Sequence, residues 1–171
     1  TEFLARLGVE PRIAVDLEAD SLHSYREKVC LVQVSTAART AVLDPLAAPG
    51  VLPALAPLLG DPAVVKVFHG GDYDVRLLKR DGGVVVRSLF DTMIAAQLAG
   101  RTRYGLAALL EEGFGVALDK RYQRADWSKR PLEPGMLAYA AADTAHLLAL
   151  ADLLSGELTR LGRLAWAEEE F

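Results

Sequence analysis

The sequence predicts an α/β fold in which a mixed five-stranded sheet is covered by helices. Three observations predict it. Residues 12–19 alternate apolar and polar side chains, as a half-buried strand does. Two further β-type segments follow after short turns, so the three strands can pair as an antiparallel meander. Beyond residue 50, β-branched runs alternate with helical segments, which is typical of strands connected through helices.

The first three strands are predicted from their pattern and their β-branched content. In the first strand Ile13, Val15 and Leu17 share one face, which leaves Asp16 and Glu18 on the other face. The predicted strands are Arg12–Ala19, Val29–Ser35 and Thr40–Leu43.

Glycine, proline and capping residues divide the rest of the chain. The predicted elements are a helix at Val51–Leu59, a strand at Val64–Phe68, a helix at Asp72–Lys79 with Asp72 as its N-cap, a strand at Val84–Ser88, helices at Asp91–Leu98 and at Leu106–Glu112 with Gly113 as its stop, an irregular segment at 115–131, and a long helix from Pro134 to Leu154 with another up to Ala167.

Composition is that of an ordinary globular protein, and residues 1–171 are expected to form one domain. The single cysteine, Cys30, excludes a disulfide framework and is expected to be a buried thiol. We expect no apolar run long enough to span a membrane, and no secretory segment in TEFLARLGVEPR. A cytoplasmic protein is therefore predicted.

Charge is distributed unevenly along the chain. The net charge is −4, yet residues 76–87 and 101–131 each carry more bases than acids. Such stretches either form basic walls around an acidic site or are solvated helix faces, and charge alone leaves both interpretations open.

Two pairs of side chains point to a metal site. Asp16 and Glu18 are two residues apart on a strand and therefore project from one face, where their charges repel unless a cation lies between them. Tyr139 and Asp143 are four residues apart on a helix and share a face within an alanine-rich stretch. Oxygen ligands of this kind suit hard divalent cations. An edge strand with a solvated acidic face remains the alternative.

A third acid is expected after the glycine pair that follows the fourth strand. Asp72 comes first and is the better N-cap, which leaves Asp74 in the first helical turn, facing the strand ends. His69 is expected to be a partly buried histidine with its hydrogen bonds satisfied, since carboxylate sites for Mg²⁺ or Mn²⁺ use oxygen ligands.

Five segments together resemble a known family. VDLEADSL holds Asp16 and Glu18, VFHGGDYDVRLLKRD places an acid at Asp74, and YAAAD holds Tyr139 and Asp143. LFDTMIAAQLAG and KRYQRADWSKRPL complete the set. The pattern resembles the DEDDy 3′–5′ exonucleases, named for four acids and a tyrosine. The last segment resembles the K-x-x-Q-x-x-D-W-x-x-R-P-L stretch of ribonuclease D and its eukaryotic nuclear-exosome relative.

The resemblance covers about residues 13–154 and implies a ribonuclease H-like fold. It implies that this chain is a 3′–5′ exoribonuclease, which releases nucleoside 5′-monophosphates from the 3′ ends of single-stranded RNA. It also implies two divalent metal ions, Mg²⁺ or Mn²⁺, as cofactors. The implied catalytic residues are Asp16, Glu18, Asp74, Tyr139 and Asp143, with the four acids as metal ligands and the tyrosine positioning the water. No small-molecule cofactor and no membrane partner are expected. From the resemblance to ribonuclease D we expect that the segment before VDLEADSL is short in this sequence, and that the C-terminal helical nucleic-acid-binding domain is not part of it.

Further residues are expected to touch the substrate. The expected substrate contacts are Leu22, His23, Tyr25, Lys120 and Gln123. An apolar or aromatic wedge after the first motif would stack on the terminal base, although core packing of Leu22 is an equal alternative. Trp127 is expected to be structural.

Two other functions compete with this one. The first is a DNA-directed or dual-specificity exonuclease of the same fold, because no residue declares itself as the reader of a 2′-hydroxyl. The second is an inactive nucleic-acid-binding scaffold, which the presence of all four acids and the tyrosine disfavours.

Overall fold

The structure, a computed structural model, describes residues 10–171, so the expectation that residues 1–9 contain no secretory segment lies outside the described residues. Five strands form one sheet in the spatial order β3-β2-β1-β4-β5. Their bounds are β1 (Arg12–Ala19), β2 (Val29–Ser35), β3 (Thr40–Leu43), β4 (Val65–Phe68) and β5 (Leu89–Asp91). The first three strands are antiparallel neighbours, while β4 runs parallel to β1 and β5 parallel to β4. The predicted mixed five-stranded sheet is confirmed.

Helices cover both faces of this sheet. Within the described residues they are α1 (Val51–Gly60), α2 (Asp72–Gly82), α3 (Thr92–Leu98), α4 (Leu106–Phe114), α5 (Pro134–Ala145), α6 (Leu147–Arg160) and α7 (Leu164–Glu170). The face of β1 that carries Ile13 and Val15 packs against α1 and α2. The opposite face, on which Ala14 lies, packs against α3, α4, α6 and α7. Asp16 is two residues beyond Ala14 and therefore projects from this second face.

The predicted strand at Val84–Ser88 is wrong, because the fifth strand lies at Leu89–Asp91. Val84 is fully buried, but it serves the end of α2. Its N–H donates to Leu78 O at 3.2 Å, while Gly83 adopts the left-handed conformation and donates to Lys79 O. Such a helix end takes an apolar side chain just after the glycine. The apolar run therefore reflects a helix cap rather than strand pairing.

The predicted stop of α4 at Gly113 is also wrong. The helix continues to Phe114, and Gly115 ends it with a φ of +67°. Gly115 N–H donates to Glu111 O, which is the pattern of a left-handed C-cap. Gly113 instead lies where the helix approaches Leu153 closely.

The predicted long helix from Pro134 is two helices, Pro134–Ala145 and Leu147–Arg160, with His146 (φ −112°, ψ 0°) between them. An 18-residue window within Pro134–Arg160 has a mean hydropathy of 1.3, so by length and composition alone this stretch could cross a membrane. This corrects the expectation that no apolar run is long enough. The packing of Leu147, Leu150 and Leu154 in the core explains why the stretch is so apolar.

Candidate active site

Asp16, Glu18 and Asp143 lie close together on the face of the sheet that carries Ala14. Asp16 and Glu18 project from β1, and Asp143 faces them from α5. One carboxylate oxygen of each lies within 4.8 Å of the others. These residues are distant in sequence, and the packing of α5 against β1 and β2 brings them together.

Asp74 faces this cluster from the first turn of α2. Its charge is among the causes that raise the pKa of Asp16, after burial and ahead of Asp143. Burial raises the pKa of Glu18 to about 9, with Asp16 and Asp143 adding repulsion. Burial also raises the pKa of Asp74 to about 7 and that of Asp143 to about 6. Four acids so close together are unfavourable in their ionised forms without a cation.

Asp72 is not the N-cap of α2, contrary to the sequence-based expectation. Gly71 occupies that position, and no side chain caps the helix. The Asp72 side chain is exposed and forms an ion pair of 2.5 Å with Arg76, one turn further along. Asp74 lies partly buried on the side of the helix that faces the cluster. The structure thus separates the two acids as expected, with a different partner for Asp72.

Asp91 fixes the approach of α2 to the sheet. Its carboxylate accepts from Gly70 N at 2.9 Å and from Gly71 N at 2.8 Å, just before α2. The same carboxylate caps α3 through Met93 N at 2.8 Å and Ile94 N at 3.2 Å. One buried side chain therefore joins the start of α2 to the start of α3. This connection determines where the first turn of α2, with its acid, lies.

Tyr139 lies one turn before Asp143 on α5 and packs in an aromatic group. Its ring centroid is 5.9 Å from that of Trp127 and 6.2 Å from that of Tyr122. Burial raises the pKa of Tyr139 above its ordinary value, and the nearby charge of Asp143 raises it more. The phenol therefore stays protonated and acts as a hydrogen-bond donor. Trp127 is 2% exposed, which agrees with the structural role expected for it.

Two cavities open on either side of the acids. The larger, of about 410 Å³, is lined by Asp16, Asp143 and Tyr139, together with His69 and the segment at 118–123. The smaller, of about 160 Å³, is lined by Glu18 and Asp74, together with Leu17, Ala19, Ser21, Leu22, Tyr73, Gln123, Ala125 and Trp127. The acids therefore stand between a small slot and a wider opening.

The irregular segment at 115–131 forms a wall of both cavities, and Arg130 anchors its end. The guanidinium contacts both carboxylate oxygens of Asp44 at 2.7 Å. It also donates to Trp127 O at 2.8 Å and to Cys30 O at 3.1 Å. The planar fork of arginine suits such a set of acceptors. A segment without regular backbone hydrogen bonding is thus held against β2 and the turn after β3.

The predicted substrate contacts are not all brought together. Leu22 lines the smaller cavity, Lys120 the larger, and Gln123 both. His23 is exposed, and its Nε2 lies 3.2 Å from Arg124 O. The Tyr25 side chain is fully exposed and lines neither cavity.

Two residues of this region were not expected from the sequence to take part in the function, although His69 was expected to be partly buried, as it is. His69 lines the larger cavity, and its Nδ1 lies 2.9 Å from Thr92 Oγ1. Gln33 is fully buried on β2, directly opposite Asp16. The sequence predicted both strands but not which residues pair between them, because the register depends on the geometry of the turn between β1 and β2.

The donor set fits a hard divalent cation. The candidate ligand atoms of Asp16, Glu18 and Asp143 are all carboxylate oxygens, which Mg²⁺, Ca²⁺ and Mn²⁺ prefer. A bound cation would offset the mutual repulsion that raises the pKa values of the acids.

Comparisons with known proteins agree with this arrangement. A family model described as 3′–5′ exonuclease matches residues 1–159. The exosome complex exonuclease RRP6 of Saccharomyces cerevisiae is 44% identical over 153 residues, which is 90% of this chain and 21% of that protein. Ribonuclease D of Granulibacter bethesdensis is 38% identical over 162 residues, covering 94% of this chain and 41% of that protein. The chain thus spans less than half the length of these curated relatives.

Solved structures give the same result. The catalytic core of RRP6 from Trypanosoma brucei superposes with a TM-score of 0.94 at 38% identity, covering 99% of this chain and 47% of that one. NrnC of Brucella melitensis with bound Mg²⁺ superposes with a TM-score of 0.85 at 30% identity, covering 95% of this chain and 80% of that one. The expected ribonuclease H-like fold is confirmed by these likenesses. The chain therefore belongs to the 3′–5′ exonuclease family.

Proposed function

We propose that this chain is the catalytic domain of a metal-dependent 3′–5′ exoribonuclease that releases nucleoside 5′-monophosphates from single-stranded RNA. The observation that carries the proposal is the convergence of Asp16, Glu18 and Asp143 between two cavities, with Asp74 facing them. The small cavity on one side of the acids, of about 160 Å³, suits a single terminal nucleotide. A cavity more than twice as large on the other side suits the strand that leads to it.

The residues of the site divide the work. Asp16, Glu18, Asp74 and Asp143 would hold two divalent cations, Mg²⁺ or Mn²⁺. When bound, such ions activate a water and neutralise charge on the scissile phosphate. Tyr139 keeps its proton and orients the attacking water by donating a hydrogen bond.

The remaining contacts position the strand. Leu22 lines the small slot, where it packs against the terminal base, and Gln123 lies between the slot and the larger cavity. Lys120 on the wall of the larger cavity attracts the phosphates of the incoming strand.

RNA as the substrate is supported by the names of the relatives and by the chemistry of His69. Thr92 Oγ1 donates its one proton to Phe68 O at 2.9 Å. The hydroxyl must therefore accept from Nδ1 of His69, 2.9 Å away. In the neutral ring this leaves Nε2 as an acceptor, and the ring lines the larger cavity. An acceptor there repels phosphate oxygens but accepts from a ribose 2′-hydroxyl, which DNA lacks.

Two points of context are also proposals. The curated relatives are more than twice as long as this chain. The natural substrate and any partners of the whole protein are therefore proposals as well. The buried free thiol of Cys30 supports a reducing compartment such as the cytoplasm.

Degradation of end-labelled oligonucleotides tests the proposal. A 5′-labelled single-stranded RNA should shorten one nucleotide at a time with Mn²⁺ or Mg²⁺, and should stay intact with EDTA. The released nucleotides should carry 5′-monophosphates, because the attack expels the 3′-oxygen of the remaining strand. A 3′-phosphate should slow the reaction by crowding the slot beside Glu18.

Three results would contradict the proposal: large internal fragments, 3′-monophosphate products, or full activity in excess chelator. A matched DNA oligomer and a blunt RNA duplex complete the set. Degradation of DNA at the same rate would favour a dual-specificity exonuclease instead. The duplex should resist, since its terminal pair must first be unstacked.

A further inference from the structure

Gln33 lies at the centre of the sheet, beside the acids of the site. It pairs directly with Asp16 of β1 in the antiparallel register, so both side chains project from the same face. Its other cross-strand neighbour is Val42 of β3, which offers no polar side-chain atom. Of its two lateral neighbours, Asp16 is therefore the polar one.

Helix α5 covers this position. Two residues along β2, Ser35 Oγ lies 2.7 Å from Thr144 Oγ1 of α5. Two residues back, Leu31 packs in the same apolar cluster as Ala140 of α5. Gln33 lies between these two contacts, under the turn of α5 that carries Asp143. Its side chain is fully buried, so no substrate can touch it.

The amide of Gln33 has no partner in this environment. Neither Nε2 nor Oε1 makes a hydrogen bond within the described residues 10–171. A buried amide without partners costs free energy that an apolar side chain of the same shape would not. Such an exception within a folded core calls for a specific reason, and a role in a functional site is one such reason.

We propose that Gln33 is a positioning residue for the metal site, whose Nε2 donates a hydrogen bond to the carboxylate of Asp16 in the metal-bound protein. This inference rests on the proposed metal-dependent function. Partners behind the ligands fix the orientation of the ligands and raise metal affinity. Gln33 suits this task because it is uncharged and fully buried, on the strand next to Asp16.

The test compares Gln33→Met with a control on the same face, Ser35→Ala. Methionine has nearly the shape of glutamine but no amide. We expect Gln33→Met to raise the melting temperature of the protein in EDTA by a few degrees, because an unpaired amide is removed. We expect it to weaken Mn²⁺ binding by roughly 10- to 100-fold in titration calorimetry. The kcat on RNA should fall, while KM changes little.

Ser35→Ala should behave in the opposite way. It breaks a satisfied hydrogen bond to Thr144, so it should lower the melting temperature in EDTA and leave Mn²⁺ affinity within about twofold, since Ser35 faces Ala14 and not an acid. A shorter amide, Gln33→Asn, should give a Mn²⁺ affinity between those of the wild type and of Gln33→Met.

Each outcome decides the matter. Unchanged Mn²⁺ affinity in Gln33→Met would overturn the proposal, and so would a loss of folding, since stabilisation of the metal-free protein is expected. Failure of the wild type itself to bind Mn²⁺ or to degrade RNA would instead overturn the proposed function. A wild type that binds Mn²⁺ and degrades RNA, beside a Gln33→Met variant that does so equally well, would remove only the role of Gln33.

Discussion

Single residues at the start of α2 show how position within one turn changes chemistry. Asp72 and Asp74 both follow the glycine pair, but only Asp74 is turned towards the other acids. The side chain of Asp72 lies in solvent, 80% exposed, beside Arg76. Two residues along a helix correspond to about 200° of rotation, so the two carboxylates point away from each other.

We predict that Asp74→Asn lowers the rate of RNA degradation by on the order of a hundredfold or more, because a candidate metal ligand is removed while the shape of the side chain is kept. The fold should survive, since the change relieves repulsion. Asp72→Asn is the matched control and should be nearly silent, because an exposed ion pair contributes little. RNA degradation rates and circular dichroism of both variants provide the measurement. An inactive Asp72→Asn with an active Asp74→Asn would mean that the two roles are exchanged.

His69 supplies the second prediction at this scale. We expect His69→Phe to lower kcat/KM on RNA by roughly three- to tenfold, the value of one neutral hydrogen bond to a hydroxyl. The rate on a DNA oligomer of the same sequence should change much less, because it has no 2′-hydroxyl to lose. The ratio of the two rates in one enzyme preparation is the measurement. Equal losses on both substrates would show that His69 supports the site without reading the sugar.

At the scale of elements, two side chains hold segments in place that are not joined by regular backbone hydrogen bonds. Asp91 joins the starts of α2 and α3, and Arg130 fastens the irregular segment at 115–131. Both lie outside the acid cluster, yet each determines where functional side chains lie. The segment fastened by Arg130 carries Lys120 and Gln123.

We predict that Arg130→Ala raises KM for RNA more than it lowers kcat, because the wall of the cavities loosens while the acids stay in place. Loss of the contacts to Asp44, Trp127 O and Cys30 O should cost roughly 1–3 kcal/mol of unfolding free energy, towards the lower figure because the guanidinium is partly exposed. Steady-state kinetics and chemical denaturation measure the two effects. Arg121→Ala is a suitable control, since Arg121 forms an ion pair with the nearby exposed Asp119 and otherwise lies over the Tyr122 ring, 5.9 Å from its centroid. A pure loss of kcat in Arg130→Ala would contradict this account.

At the scale of the whole molecule, the acid cluster makes stability depend on pH. Burial raises the pKa of Glu18 to about 9, of Asp74 to about 7 and of Asp143 to about 6. Each of these groups binds its proton more tightly in the folded than in the unfolded chain. The folded state is therefore favoured at low pH, and this contribution is lost as pH rises through the folded pKa values.

We predict that, with EDTA, the melting temperature falls between about pH 5 and pH 9, and that Mn²⁺ reverses much of the fall at the upper end by binding the ionised acids. The Glu18→Gln variant should have a higher melting temperature in EDTA at pH 9 than the wild type, because of the three acids it removes the one with the highest pKa. Thermal scans at several pH values, with and without metal, provide the test. A wild-type melting temperature that rises with pH in EDTA would contradict the repulsion on which the site depends.

The sequence by itself determined the first four strands of the sheet, most of the helices and the five residues expected to act in catalysis. Strand alternation in β1 fixed the face shared by Asp16 and Glu18, and the motifs gave the family, because these signals are local in the chain. The break at His146, the cap that absorbed Val84 and the position of β5 were decided by tertiary packing. So were the pairing of Gln33 with Asp16 and the hydrogen bond that sets the tautomer of His69. Those features join residues on different elements, and strand register and helix docking are settled only when the core is assembled.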